Sequence, residues 1–197
     1  MENKTSSATN DLSLTRQFIQ GWVTLLEYWD KNAVEHGRRV ASVSLNLARY
    51  LGWRDNDLTE LEWGALLHDV GKVCVPPTIL FNPGPLSEQD WIIVKRHPVF
   101  GYEMLHPVQT MKLSAGIVLC HHESWDGSGY PQGLSGSMIP PGARIVAIAE
   151  VWDALTSNPA DHADWPKQRV TAYIREHAGT KFDPAVVVTF LNMNEAG

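Results

Sequence analysis

Two adjacent histidines, His121 and His122, end the apolar run Ile117-Val118-Leu119-Cys120 and open the stretch Glu123-Ser124-Trp125-Asp126-Gly127-Ser128-Gly129-Tyr130-Pro131. Neighbouring residues on a helix point about 100° apart. The pair therefore cannot act as a simple one-face pair; it can reach two metals, or one metal from two directions. Gly127, Gly129 and Pro131 force the chain that follows through a fixed turn. Upstream, His68 and Asp69 form a second such pair inside Leu66-Leu67-His68-Asp69-Val70-Gly71-Lys72, and further histidines stand at His36 and His97. Imidazole together with carboxylate suits first-row transition metals such as Fe, Mn, Ni or Zn. Histidines and an aspartate that all sit on or beside apolar helical segments are hard to explain as packing.

The elements that must carry these residues read as helices. Phe18, Trp22, Leu25, Leu26 and Trp29 recur at helical spacing from about Leu12. After a break at Lys31-Asn32, a second helix over 33–51 turns Val40, Val43, Leu47 and Leu51 inward, with Gly52 closing it. His36 falls on that inward face, as a satisfied core group or as a ligand. A third helix, from about Asp55, ends near His68, so that Asp69 is either a ligand or a turn residue. Residues 73–86 read as a proline- and glycine-rich loop. Ser87 with Asp90 predicts a capping box for a helix over 88–96, and Pro98 puts His97 at a helix–loop junction. A buried helix over 112–121 delivers the double histidine, and residues 123–141 read as loop. The helix over 142–156 carries Glu150 and Asp153, and the apolar flank of Glu150 predicts burial. A polar linker over 158–166 and helices over 167–177 and 183–192 complete the chain. There is no β alternation of useful length and no internal repeat. The expected fold is all-α, with ligands from several helix ends meeting in one central site.

The totals narrow the function. A length of 197 residues suits one domain, and 44% hydrophobic content supports a real core. Several of the eight tryptophans are expected inside. The polar stretch 1–10 reads as a frayed, disordered tail without the apolar core of a signal peptide. A net charge of −6 argues against broad DNA or RNA binding. An anionic small substrate stays open, because bound metals can reverse the local sign. Cys74 and Cys120 are too few for a disulfide framework and read as small buried hydrophobes. No apolar run approaches the roughly 20 residues of a membrane span. The expected location is cytoplasmic, with no membrane contact.

The combined motifs resemble the HD-GYP subgroup of the HD phosphohydrolase superfamily. His68-Asp69-Val70-Gly71-Lys72 resembles the superfamily signature, and His121-His122-Glu123 with Asp126-Gly127 and Gly129-Tyr130-Pro131 resembles the subgroup's. Pro83-Gly84-Pro85-Leu86, Lys95-Arg96-His97-Pro98 with Gly101, and Ala143-Arg144-Ile145 with Asp153-Ala154-Leu155-Thr156 follow in the right order. The resemblance implies one helical domain over 11–197 built around a metal centre of divalent ions, iron or manganese first, nickel or zinc next. It implies hydrolysis of cyclic di-GMP to linear pGpG or GMP. The implied ligands are His36, His68, Asp69, His97, His121, His122 and, with its longer side chain, Glu150. Asp69 would bridge two metals and, with Lys72 on the substrate phosphate, carry the catalysis. Arg96 and Arg144 are further candidate substrate contacts. The loop residues Asp126, Gly127, Gly129, Tyr130 and Pro131 would form a structural or partner-binding surface, a diguanylate cyclase domain being the implied partner.

Three positions depart from the family pattern. Glu150 stands where the family has aspartate. Asn32 stands where some members carry a glutamate ligand, which implies two metals rather than three. Residues 158–164 are acidic where the family is basic. Two alternatives follow from these departures: a phosphohydrolase acting on another nucleotide or a different cyclic dinucleotide, and a non-catalytic signalling module that binds a partner through its Gly-Tyr-Pro loop.

Overall fold

The computed structural model describes residues 2–157 and 165–195. The acidic stretch over 158–164, and with it most of the polar linker expected over 158–166, lies outside the described residues. Helix α1, Glu2–Trp29, and helix α2, Lys31–Tyr50, meet at Asp30. The Asp30 carboxylate accepts the Asn32 amide at 2.9 Å, one of the amides that the start of a helix leaves without a partner. The α1 backbone is helical from Glu2, where the sequence pattern started a helix only at about Leu12. Gly52 closes α2 at φ 86°, a left-handed conformation that glycine adopts without penalty.

Helix α3, Asn56–Leu66, runs into a 3-10 turn over Val70–Cys74. The short α4, Pro77–Leu80, interrupts the stretch that reads as loop in the sequence. Proline in its first turn loses no helical hydrogen bond, which is why a proline-rich segment can still start a helix. Helix α5, Glu88–Val94, begins with the expected capping box between Ser87 and Asp90. Helix α6, His97–Leu105, follows after only Lys95 and Arg96. His97 thus opens a helix and does not face a loop: Pro98 is a first-turn proline here, not a terminator.

Helix α7, Lys112–Cys120, and helix α8, Pro141–Thr156, flank the long loop with the Gly-Tyr-Pro segment. Helices α9, Lys167–Glu176, and α10, Pro184–Glu195, finish the chain. Among the described residues no strand forms, only an isolated bridge between Ala178 and Phe182. None of the described helices is long and apolar enough to cross a membrane.

The core has two lobes. Val40, Leu47, Leu61, Ile117, Ile145, Ile148, Ile174 and Phe190 pack α2, α3, α7, α8, α9 and α10 together. Ile19, Val23, Leu26, Trp63, Leu67, Leu105, Met111 and Val118 pack α1 against α3, α6 and α7. Each fully buried side chain of this size contributes roughly 1.5–3 kcal/mol relative to exposure. Leu66 packs against both lobes, two residues before His68. Two expectations need correction. Trp63 is the one tryptophan that is buried; the others lie partly or largely exposed, because an indole of this size fits best where one edge stays wet. Cys74, at the end of the 3-10 turn, is exposed, whereas Cys120 is buried.

Candidate metal centre

Three of the histidines are aimed by the same device. The last four carbonyls of a helix have no partner within the helix. His68 follows the end of α3, and its Nδ1 lies 2.7 Å from the Ala65 carbonyl. His97 follows α5, with Nδ1 2.8 Å from the Val94 carbonyl. His121 follows α7, with Nδ1 2.8 Å from the Val118 carbonyl. Donating Nδ1–H to a carbonyl leaves the lone pair on Nε2, the form that ligates metals. All three rings are buried.

Asp69 stands at the centre. His97 Nε2 lies 3.2 Å and His121 Nε2 4.0 Å from Asp69 Oδ1, and His68 Nε2 lies 3.4 Å from Oδ2. A close backbone approach makes this possible: a methyl group on Gly71 would overlap the His97 carbonyl, so glycine lets the turn after Asp69 lie against the start of α6. Lys72 Nζ donates to Asp69 Oδ2 at 2.6 Å.

The donor atoms fall into two groups that share this carboxylate. His36, His68 and Asp69 form one, and Asp69, His97, His121 and His122 the other; within each, one ligand atom per residue lies within 4.8 Å of the rest. His97 Nε2 and His121 Nε2 are 3.3 Å apart. Asp69 Oδ1 and His68 Nε2 are both buried without a hydrogen-bond partner. An unsatisfied buried polar atom costs about 1–3 kcal/mol, and lone pairs that face one another add repulsion. Cations placed between them would remove both penalties. Imidazole nitrogens with one carboxylate match the preferences of divalent first-row metals, so these residues fit the implied ions.

Electrostatics favour the ligating forms of His121, His122 and Asp69, whereas at His68 burial is outweighed by Asp69, which raises its value. Burial, reinforced by the neighbouring imidazoles of His122, His68 and His97, holds His121 well below its ordinary value. Burial also lowers His122 to about 4, against the opposing pull of Glu150. Burial works against the charge on Asp69, but Lys72 and His68 outweigh it and hold the carboxyl well below the usual range. For Lys72 the balance against burial is again won by Asp69, and its value is raised.

The other expected residues fall at different depths. Glu150 Oε2 lies 3.9 Å from His122 Nδ1, beside the second group but outside its converging donors. Tyr130 stacks on the His122 ring with centroids 4.7 Å apart, and Lys95 lies over the Tyr130 ring at 5.4 Å. Asp126 accepts from Ser128 and fixes the turn. Gly127 has φ 87°, and a methyl on Gly129 would overlap the Ser124 amide, so both glycines serve the loop's path. Pro131 follows Tyr130 through a cis peptide bond. Arg96 is exposed and lies over the Phe100 ring. Arg144 donates to the carbonyls of Ile139 and Ser137 and to Asp183, partners that lie outside the histidine cluster.

Two further carboxylates support the ligands, and the second was not legible in the sequence. The buried Glu123 carboxylate accepts the amides of Gln132 at 2.7 Å and Leu134 at 3.0 Å and so ties down the loop after the double histidine, the loop-fixing role that its place beside a candidate ligand suggests. Asp153 Oδ2 lies 2.7 Å from His36 Nδ1 across 117 positions of chain, and no local pattern announces that pairing.

Comparison with known proteins places the chain in a family. The HD domain family model matches residues 23–186. The chain belongs to the HD domain family. It is 38% identical over 178 residues to the cyclic di-GMP phosphodiesterase response regulator RpfG of Xanthomonas campestris pv. campestris, across 89% of this chain and 47% of that protein. It is 33% identical over 179 residues to 3'3'-cGAMP-specific phosphodiesterase 2 of Vibrio cholerae serotype O1, across 90% of this chain and 34% of that one. The fold matches Bd1817, an HDG"Y"P protein from Bdellovibrio bacteriovorus, with a TM-score of 0.66 and 27% identity over 84% of this chain and 53% of that one. The HD-GYP resemblance drawn from the motifs is thereby upheld. The chain spans about half the length, or less, of these relatives.

Proposed function

We propose that this chain is a metal-dependent phosphodiesterase that hydrolyses cyclic di-GMP to pGpG or GMP in the cytoplasm, with residues 11–197 in a single domain. One observation carries the reading: a single half-buried carboxylate, Asp69, is shared by two groups of inward-facing imidazoles. The ligands would be His36, His68, Asp69, His97, His121 and His122, with Glu150 added on the side of His122. The ions would be about two divalent transition metals, iron or manganese before nickel or zinc. Held there, such a pair would supply an activated water and charge stabilisation for phosphodiester hydrolysis.

The chain's own groups supply the rest. The helix-end carbonyls hold the protons of His68, His97 and His121 on Nδ1. Lys72 keeps its charge and reaches a non-bridging phosphate oxygen. Arg96 is the candidate contact for the second phosphate. For Arg144 the observed partners support a role in anchoring the Gly-Tyr-Pro loop to α8 and α10. Asp126 and Ser128 are exposed, and that edge of the loop is where a partner such as a diguanylate cyclase domain would dock.

The similarity to a 3'3'-cGAMP-specific enzyme favours a second reading, in which the mixed cyclic dinucleotide is the substrate. Protein purified without chelator should be assayed for metal content and for cleavage of both dinucleotides. About two ions per chain with cleavage of cyclic di-GMP is the expected result. Cleavage confined to cyclic GMP-AMP would establish the second reading. A metal-loaded chain that cleaves neither would overturn both and leave the docking module.

A further inference from the structure

We propose that Asp153, clamped by Arg39, is the positioning residue for His36 and decides whether the first half of the metal centre forms; the inference rests on the metal-dependent reading above. His68, His97 and His121 each borrow a carbonyl at a helix end. His36 has no such carbonyl. It lies in the second turn of α2, Lys31–Tyr50, where the carbonyls one turn back already accept amides of the same helix. Its ring is also the less enclosed: the His36 side chain is 21% exposed, against 1% for His68. Neither the main chain nor close packing fixes it, so the acceptor has to come from another element.

Asp153 on α8 is built for that task. Its side chain is 5% exposed. Arg39 Nε donates to Oδ1 at 2.7 Å, Arg39 Nη2 donates to Oδ2 at 3.0 Å, and Oδ2 also meets His36 Nδ1 at 2.7 Å. The bidentate grip stops the carboxylate from rotating. His36 and Arg39 are three residues apart on α2 and present one face to the same acid. With Nδ1–H given to Asp153, His36 keeps its Nε2 lone pair for the ion. Burial works against the Asp153 charge, yet His36 and Arg39 prevail and lower it to about 2.

A plain helix–helix ion pair between Arg39 and Asp153 would affect stability without touching metal affinity, and the test separates the two. Metal affinity should be measured by competition titration on the full chain for wild type, Asp153→Ala, Arg39→Gln, His36→Ala and the double variant His36→Ala/Asp153→Ala. Asp153→Ala should weaken one ion about 10–100-fold and leave the other unchanged, the usual effect of removing the group that orients a metal-bound histidine. Arg39→Gln, which keeps the carboxylate, should weaken the same ion by less. The double variant should bind no more weakly than His36→Ala. Nitrogen-15 spectra of the metal-free chain should show His36 lose its fixed Nδ1–H form in Asp153→Ala while thermal unfolding stays cooperative. Two ions held as tightly in Asp153→Ala and Arg39→Gln as in wild type would overturn the inference alone. A further loss in the double variant would overturn it too. Wild-type protein that binds no metal would bring down the parent reading with it.

Discussion

The half of the centre made by His36, His68 and Asp69 and the half made by Asp69, His97, His121 and His122 reach the same end with different parts. The second half draws on the ends of α5 and α7 and the start of α6, and its His97 and His121 are sealed in the core. The first half depends on one histidine aimed by a helix end and one aimed by a side-chain clamp from α8. It offers three donors where the second offers four. The difference teaches that ligands of the same kind can be held in place by different means, and that the source of each one's orientation bears on how firmly it holds a metal. Main-chain carbonyls come with the fold, whereas a side-chain clamp is lost with one substitution.

The largest expected effect removes the shared part. Asp69→Ala should strip both halves, leave less than one tightly held ion, and lower turnover at least about 100-fold, in line with the several kcal/mol of transition-state stabilisation that bound metals supply. Elemental analysis beside the cleavage assay checks this, and a variant that retains one tight ion would show that one half stands without the shared carboxylate. A smaller effect should separate the halves. Glu123→Ala leaves the amides of Gln132 and Leu134 unpaired under the loop, at about 1–3 kcal/mol of stability in urea unfolding. Its effect on metal affinity should fall on the half containing His121 and His122; a loss on the His36 side would erase the distinction. The smallest effect is read from the cysteines. Burial, with Glu123 adding to it, pushes the Cys120 thiol up to about 12. At neutral pH it therefore stays protonated and unreactive, since the thiolate is the nucleophile. Alkylation of the native chain should modify exposed Cys74 and spare Cys120, as read by mass spectrometry. Labelling of both would mean that the second half opens.

Much of this centre is legible in the residue pattern. The pairs His68-Asp69 and His121-His122, with their glycine-marked exits, announce a metal site, and the helical periods carry His36 inward. What stays hidden is tertiary. The Asp153–His36 bond joins α2 to α8, so neither helix shows it alone. Glu123 reads as a loop-fixing acid from its place beside the double histidine, but the amides it holds are set only by the folded loop. Arg144 reads as a cation free for phosphate, but the loop's own carbonyls and Asp183 engage it. His97-Pro98 illustrates a local rule with two outcomes: proline ends one helix or starts the next, and here α6 follows so closely that it starts one.

Because Ala65, Val94 and Val118 each serve a histidine three residues further on, the centre measures the chain in helical turns. A residue inserted between such a carbonyl and its histidine swings the imidazole by about 100° and carries it off its acceptor. A change of side chain at the same place leaves the spacing intact. Insertions and deletions near these helix ends should therefore abolish metal uptake even where substitutions are absorbed. The loop around Pro83 and Gly84 should accept added length, since no ligand is counted across it from a helix end.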